Sequence, residues 1–291
     1  MKIGLAINSI IKRFGLEEAC RLVKEAGFTH VDLQLTNHDM DEALFYKEDL
    51  EKFINFFKEV KKTVNKHGLI IHQTHFPFGF DEEEVLFTEE FENVLKRSII
   101  ATGTLGAKYV VVHPVKMQCR YQNNLENAFN KNYEQMIRFN DLLEEYNVKM
   151  ALENLFIPDE TDNRRYVPTV LTNAKDMNRM LSKLGKNYVT VFDTGHCHIS
   201  NVEPIYDTIV KLGNNLKVLH MHDNNKVFDD HLIPYEGSIN WEGFIKGMRE
   251  IKFDGVYSYE IVLYDPKEII PKRLKYVVEN AKYLISRINE K

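Results

Sequence analysis

The sequence predicts an α/β fold, a single (β/α)8 TIM barrel that spans residues 1–291. Strand-like apolar runs alternate with helix-period segments along the whole chain, and eight such runs can be named. Most of these runs end in a side chain that can bind a metal. Because the catalytic residues of such barrels lie at the carboxyl ends of the strands, side chains from different runs should meet at one mouth.

The strands are expected where short β-branched or apolar runs are bounded by polar residues or glycine. They cover residues 2–8, 30–35, 69–75, 109–114, 149–155, 189–195, 216–222 and 255–261. Amphipathic helices are expected over residues 16–26 and about 49–66, 88–105, 125–146, 173–184, 203–212, 241–251 and 267–288. The first has Leu16, Cys20 and Val23 on one face and ends at Gly27. A doubly wound open sheet is the rival fold, but no G-x-G-x-x-G follows the first strand.

Composition argues against a nucleic-acid-binding, disulfide-rich or membrane protein. The net charge is -5 and the pI about 6.1, which argues against a nucleic acid as the main partner. The 3 cysteines, Cys20, Cys119 and Cys197, have neither zinc-finger nor C-x-x-C spacing, so a reducing compartment is expected. No signal-peptide pattern and no bilayer-length apolar span is found, so we expect a cytoplasmic protein without a membrane partner.

Imidazole and carboxylate groups are concentrated at the predicted strand ends. His220-Met221-His222-Asp223-Asn224 closes the seventh run, and Asp229 and His231 follow it. The other runs of this kind end in His75, His113, Glu153, Asp193 and Glu260. Such groups are costly to desolvate unless they bind something, and a divalent metal is the usual reason. Three carboxylates with one imidazole suit Mn²⁺, Co²⁺, Mg²⁺ or Zn²⁺, and no organic cofactor is expected.

Taken singly, these residues have simpler explanations. A lone aspartate at a strand end is more often the N-cap of the next helix, and a lone histidine on a strand is more often a core residue. We interpret His30, His38, His67 and His72 in that way. Glu153, Asp193, His220 and Glu260 differ because parallel strands would bring all four to one mouth.

Seven short segments, each near a predicted strand end, resemble a known superfamily. They are His75-Phe76-Pro77-Phe78, Val112-His113-Pro114, Leu152-Glu153-Asn154, Phe192-Asp193-Thr194-Gly195-His196, His220-Met221-His222-Asp223, Asp229-Asp230-His231 before Glu236-Gly237, and Tyr259-Glu260. Together they make the whole chain similar to the xylose isomerase-like barrels. That group holds ketose 3-epimerases, sugar and sugar-phosphate isomerases, inosose dehydratases and apurinic endonucleases of the endonuclease IV type.

The resemblance implies roles for these residues. Glu153, Asp193, His220 and Glu260 match the single divalent site of the epimerases and isomerases, and Glu153 and Glu260 also match their catalytic acid/base pair. In the endonuclease branch, His75 and His113 match two further zinc ligands, and His196, Asp229 and His231 match the three that hold the remaining zinc. In sugar-active members several of these five side chains bind substrate instead.

The leading hypothesis is a divalent-metal-dependent isomerase or epimerase that acts on a sugar or sugar phosphate through a metal-stabilised enediolate. Arg164, in the loop after the fifth strand, could hold a phosphate or a hydroxyl group, and Trp241 could pack on the sugar ring. The resemblance also suggests a homo-oligomer.

Two alternatives stay open: a zinc-dependent phosphoester hydrolase of the endonuclease IV type, and a polyol dehydratase. Three features oppose the hydrolase. His222 replaces the asparagine of the endonuclease motif, the loop after the second strand is acidic, and the overall charge is unsuited to gripping a duplex. In addition, Ile239-Asn240-Trp241 after Gly237 resembles the G-x-I-x-W segment of sugar-active members.

Overall fold

The computed structural model describes residues 1–35, 49–80, 83–117, 122–159 and 162–290, and for residues 122, 123, 159 and 162–165 it describes the backbone alone. The acidic loop after the second strand and Cys119 therefore lie outside the described residues. Cys20 and Cys197 are buried free thiols. Across the described ranges, no helix combines the length and apolar character needed to cross a bilayer.

Eight parallel strands form the barrel, and two further strands form a hairpin. The strands are β1 (Ile3–Ala6), β2 (His30–Gln34), β3 (Ile70–His75), β4 (Tyr109–Val112), β5 (Lys149–Glu153), β6 (Phe156–Asp159), β7 (Asp162–Pro168), β8 (Tyr188–Asp193), β9 (Leu216–His220) and β10 (Tyr257–Tyr259). The large sheet has the order β10-β1-β2-β3-β4-β5-β8-β9. A parallel bridge between Met221 and Tyr259 joins its two edges. The predicted (β/α)8 barrel is confirmed.

The described residues contain eleven α-helices, most of them outside the barrel. They are α1 (Asn8–Phe14), α2 (Leu16–Ala26), α3 (Leu50–Lys66), α4 (Glu89–Leu105), α5 (Gln122–Ile137), α6 (Asn140–Glu145), α7 (Ala174–Leu184), α8 (Thr194–Ser200), α9 (Ile205–Leu212), α10 (Trp241–Glu250) and α11 (Ile270–Asn289). The single helix expected over 125–146 is divided into α5 and α6. The strand expected to run to residue 195 ends at Asp193, because the Asp193 carboxylate accepts a hydrogen bond from the His196 amide and caps α8.

The segment after β5, which we expected to be a plain loop, contains the antiparallel hairpin β6–β7. The Phe156 and Tyr166 rings, one from each strand, meet edge to face with their centroids 4.6 Å apart. The Tyr166 hydroxyl donates to the carbonyl of Val227 at 2.9 Å and ties the hairpin to the segment after β9. The hairpin therefore forms one wall of the barrel mouth.

The side chains inside the barrel change from apolar to polar along the barrel axis. Tyr109, Val111, Ala151, Val189, Val191 and Val218 form an apolar cluster of their own. Because strand residues alternate between faces, the next inward positions after Ala151, Val191 and Val218 are Glu153, Asp193 and His220. The layer that stabilises the barrel is therefore separate from the layer that carries its polar groups.

His72 lies inside the barrel on β3, with its ring 5.3 Å from that of Tyr109 and 5.9 Å from that of His30. Burial, with the nearby positive charges of His30, Lys2 and Lys108, lowers its pKa to about 3. The unfolded chain therefore binds this proton more readily than the folded protein does. The stability that neutral His72 contributes is complete above pH 6.5 and is lost as the pH falls from there toward 3.

We expect His72→Gln to flatten the acid limb of the curve of unfolding free energy against pH. The wild-type curve should be steeper between pH 6 and 4, by an amount on the order of 1 kcal/mol per pH unit. Urea unfolding of both proteins at several pH values measures the difference. Parallel curves would show that His72 does not resist protonation in the folded state.

Candidate metal centre

Four side chains meet at the mouth of the barrel, where β5, β8, β9 and β10 end. Glu153, Asp193, His220 and Glu260 each offer a ligand atom within 4.8 Å of those of the other three. The Nδ1 of His220 lies 2.9 Å from Glu153 Oε1 and 3.1 Å from Glu260 Oε2. Glu260 keeps 19% of its side chain exposed, whereas the other three are fully buried. The structure thus brings together the four residues that the resemblance assigns to one divalent site.

The charges of these four groups are strongly coupled. Burial opposes ionisation of Glu153 and Glu260, but His220, together with His113 beside Glu153 and His231 near Glu260, outweighs burial and holds the pKa of both carboxyls below its usual value. Burial likewise opposes the charge of His220, and Glu153 and Glu260 outweigh it, so the pKa of His220 is raised well above its usual value. Within the group three carboxylates face one imidazole, so protonated His220 cannot balance their charge. The donor set fits a divalent cation.

A second group adjoins the first through Glu153. His75, His113 and Glu153 offer ligand atoms within 4.8 Å of one another. His75 Nδ1 donates to the carbonyl of Phe76 at 2.8 Å, which leaves the lone pair of the neutral ring on Nε2. That atom lies 3.5 Å from Glu153 Oε2, a buried oxygen for which the described residues supply no hydrogen bond of normal geometry; His113 Nε2 lies 3.3 Å from the same oxygen. Two acceptors that face each other in this way need a proton or a cation between them.

The histidines of the third predicted group show the same arrangement. His196 Nδ1 lies 2.9 Å from the carbonyl of Asn154, and His231 Nδ1 lies 2.7 Å from that of Glu260. Their Nε2 atoms lie 3.3 Å and 3.1 Å from Asp229 Oδ2. Burial acts against both charges, but nearby carboxylates raise the pKa of His196 well above its usual value and that of His231 to about 9. Backbone carbonyls that fix one ring nitrogen are typical of metal-ligating histidines.

His222 joins this third group, and the sequence analysis did not assign it a site role. Its Nε2 lies 3.0 Å from both carboxylate oxygens of Asp193, and its ring stacks on that of His231 at 4.0 Å. Ligand atoms of His222 lie close to those of Asp193 and His196 and to those of Asp229 and His231. Gly195 leaves room for it, because a Cβ there would lie 1.9 Å from His222 Cε1. The strand period of two already placed His222 on the same face as His220.

Two buried polar residues behind His220 were also missed. Gln73 Nε2 donates to Asp32 Oδ2 at 3.0 Å and lies 2.8 Å from His220 Nε2, the ring nitrogen that faces away from Glu153. Burial raises the pKa of Asp32 to about 6, although His220 and His75 act in the opposite direction. These residues hold the outer edge of the His220 ring, a position that sets ligand orientation in metal sites. Their signal in the sequence was a polar residue within each of two apolar runs.

A cleft with two arms opens over these groups. The larger arm has a volume of about 430 Å³, and its lining includes Lys116, Glu153, Phe156, Tyr166 and His196. The smaller arm has a volume of about 220 Å³ and is lined by side chains from the ends of β1 and β2. Phe78, His231 and Glu260 line both arms. Glu260, a member of the four-residue group, therefore stands between the two arms.

The predicted substrate contacts of Trp241 and Arg164 have different outcomes. Trp241 is buried in the hydrophobic core, and its indole N–H donates to Asp223 Oδ2 at 2.8 Å, so the structure places it among core side chains and not along the cleft. Its position as the first residue of α10 explains this, because the loop before α10 folds back over the Asp223 carboxylate. The side chain of Arg164 lies outside the described residues.

Comparisons with known proteins agree with this architecture. A 168-residue stretch is 29% identical to the uncharacterized protein MJ1311 of Methanocaldococcus jannaschii, and it spans 57% of this chain and about half (55%) of that protein. The inosose isomerase of Bacillus velezensis is 23% identical over 273 residues, which cover 90% of this chain and 88% of that one.

Solved structures share the same fold. A D-tagatose 3-epimerase-like protein superposes with a TM-score of 0.74 at 20% identity, over 99% of this chain and 98% of its own. A structure of the IOLI protein with a bound zinc atom superposes with a TM-score of 0.69 at 16% identity, over 99% and 98%. The family model of the xylose isomerase-like TIM barrel matches residues 20–286. The chain therefore belongs to the xylose isomerase-like TIM barrel family.

Proposed function

We propose that this protein is a divalent-metal-dependent isomerase or epimerase of a sugar or sugar phosphate. The observation that carries the proposal is that Glu153 and Glu260 both contact His220 Nδ1 and both line the larger arm of the cleft. Both carboxylates would therefore face a molecule bound in that arm. The similarity to an inosose isomerase and to an epimerase-like structure supports the same class of reaction.

Glu153, Asp193, His220 and Glu260 would hold the metal. When bound, the metal would supply Lewis-acid polarisation of a substrate carbonyl, which acidifies the adjacent C–H. Glu153 and Glu260 would then transfer the proton: one carboxylate removes it from the substrate carbon and the other returns one. The lowered pKa values keep a carboxylate ready as the base, and the other carboxyl would have to take up a proton from solvent in the cleft before it can return one.

Other groups at the mouth would position the substrate. His196 lines the larger arm, and its Nδ1 is fixed by the carbonyl of Asn154, so its Nε2 edge is held in one orientation for a substrate oxygen. The aromatic rings of Phe156 and Phe78 line the same arm and would shield the reacting carbon from water.

A second candidate function is the zinc-dependent phosphoester hydrolase. It is favoured by the second and third groups of ligand-competent side chains, around His75 and His113 and around His196, Asp229 and His231. Three metals per chain would use them all. Metal analysis of the purified protein separates the two functions, because we expect one metal per chain for the isomerase.

Proton transfer gives a direct test of the leading proposal. A panel of ketoses, aldoses and their phosphates incubated in D2O with the Mn²⁺- or Co²⁺-loaded protein should gain deuterium at the carbon next to the carbonyl, as measured by mass spectrometry and NMR. Duplex DNA with an abasic site, offered in parallel, should remain intact. Loss of water from a cyclic polyol would identify the dehydratase instead, and strand cleavage without exchange in any sugar would identify the hydrolase.

A further inference from the structure

The smaller arm of the cleft combines an apolar lining with polar side chains that the proposed proton transfer does not use. Asn8, Ser9, Asp32 and Gln34 line it, together with Glu260 at its junction with the larger arm. Its volume of about 220 Å³ corresponds to roughly seven water molecules, which is enough for a short hydroxylated chain. The arm therefore has the size and polarity of a substrate subsite.

The orientation of the Gln34 amide follows from its neighbour. The backbone N–H of Gln34 donates to Asn8 Oδ1 at 2.9 Å, so the other end of the Asn8 amide must be Nδ2. That Nδ2 donates to Gln34 Oε1 at 3.0 Å and also faces the Gln34 carbonyl at 3.3 Å. Gln34 Oε1 is thus engaged, and Gln34 Nε2 is left as a buried donor that has no hydrogen-bond partner among the described residues. Asn8 holds this donor in a single orientation.

Asp32 supplies the complementary acceptor. It is 2% exposed, and its Oδ2 accepts from Gln73. Its Oδ1 is buried and accepts no hydrogen bond from the part of the chain that the structure describes. A buried donor and a buried acceptor without partners, on two residues that line one small cavity, are each costly unless a bound molecule satisfies them. A hydroxyl group can do both, because it donates and accepts.

From this geometry we propose that the smaller arm binds a neutral, hydroxyl-bearing end of the substrate, with Gln34 Nε2 donating to its hydroxyl oxygen and Asp32 Oδ1 accepting its hydroxyl proton. Identification of the bound molecule as substrate rests on the isomerase or epimerase function proposed above. A phosphate is disfavoured here, because the named lining residues include the carboxylates of Asp32 and Glu260 and neither lysine nor arginine.

Binding of unreactive polyols tests the subsite without turnover. Straight-chain pentitols, hexitols and their monodeoxy derivatives lack a carbonyl, and ligand-observed NMR can measure their affinity for the metal-loaded full-length protein. Gln34→Met should weaken binding by about 2- to 12-fold, the loss of one neutral hydrogen bond. For the deoxy derivative that lacks the recognised hydroxyl, wild type and Gln34→Met should bind equally. Gln34→Glu keeps the acceptor for Asn8, replaces the donor by a charged acceptor beside Asp32 and should weaken binding at least as much.

Gln135→Met is the matched control. Gln135 Oε1 also accepts from a backbone N–H, and its buried Nε2 likewise finds no partner within the described ranges, but Gln135 lies on α5 outside the lining of either arm. This variant should bind polyols and metal like wild type. Metal content and thermal unfolding of each variant show whether the fold is intact, and Gln34→Glu carries the test if Gln34→Met does not fold.

The outcomes separate the subsite from the proposed function. If polyol binding depends on Gln34 but no sugar exchanges deuterium, the subsite stands and the isomerase proposal fails. If sugars exchange deuterium while both Gln34 variants bind every polyol as wild type does, the subsite is overturned and the function stands. A terminal phosphate that strengthens binding in a Gln34-dependent manner would also overturn the subsite.

Discussion

Replacing Glu260 by glutamine is expected to lower the turnover of the sugar substrate by about 10²- to 10⁴-fold, the usual contribution of a positioned acid or base. The amide keeps the shape of the side chain but cannot accept a proton. Glu260 lines both arms of the cleft and is more exposed than Glu153, so it is the carboxylate better placed to exchange its proton with solvent. Deuterium incorporation from D2O should fall together with turnover.

Two measurements keep this result interpretable. Metal content must be checked at saturating metal, because glutamine is a weaker ligand than glutamate. Glu126→Gln is the matched control, since Glu126 is an exposed carboxylate that pairs with Arg179 on the outside of the barrel. Full turnover by metal-loaded Glu260→Gln would remove Glu260 from the acid/base pair.

His220→Ala should produce the other large effect, the loss of bound metal. We expect the affinity for the metal to fall by more than the roughly 10- to 100-fold that is typical when a residue hydrogen-bonded to a metal ligand is removed. In the metal-free protein the same variant leaves Glu153, Glu260 and Asp32 without the imidazole that lies 2.9, 3.1 and 3.6 Å from them. Breaking a buried pair of this kind costs about 3–5 kcal/mol, so metal-free His220→Ala should also unfold more easily.

His231→Ala is the control for this experiment, because His231 lies at the same mouth but is absent from the four-residue group. Elemental analysis should show that it retains the metal that His220→Ala loses. Equal metal content in His220→Ala and wild type would contradict the assigned site. Removal of additional zinc ions from a three-metal parent by His231→Ala would favour the hydrolase.

The local sequence pattern was sufficient to predict most of the strands and the residues that meet at the barrel mouth. Residues near 109–112, 149–153 and 216–220 are short β-branched or apolar runs, and their positions as strands were predicted to within a few residues. The convergence of Glu153, Asp193, His220 and Glu260 also followed, since parallel strands that close into a barrel bring their carboxyl ends to one mouth. These features depend on periodicity and topology, and both can be read along the chain.

Other features depend on contacts between residues far apart in the sequence, and only the tertiary structure revealed them. Trp241 became a core residue because Asp223, 18 residues earlier in the same connection between β9 and α10, accepts its indole N–H. The roles of His222 and Asp32 depend on neighbours 29 and 41 residues away, Asp193 and Gln73. The hairpin β6–β7 depends on the cross-strand contact of Phe156 with Tyr166 and on the bond of Tyr166 to Val227. Sequence pattern records which face of a strand a side chain occupies, but the partner that faces it is set only when the barrel closes.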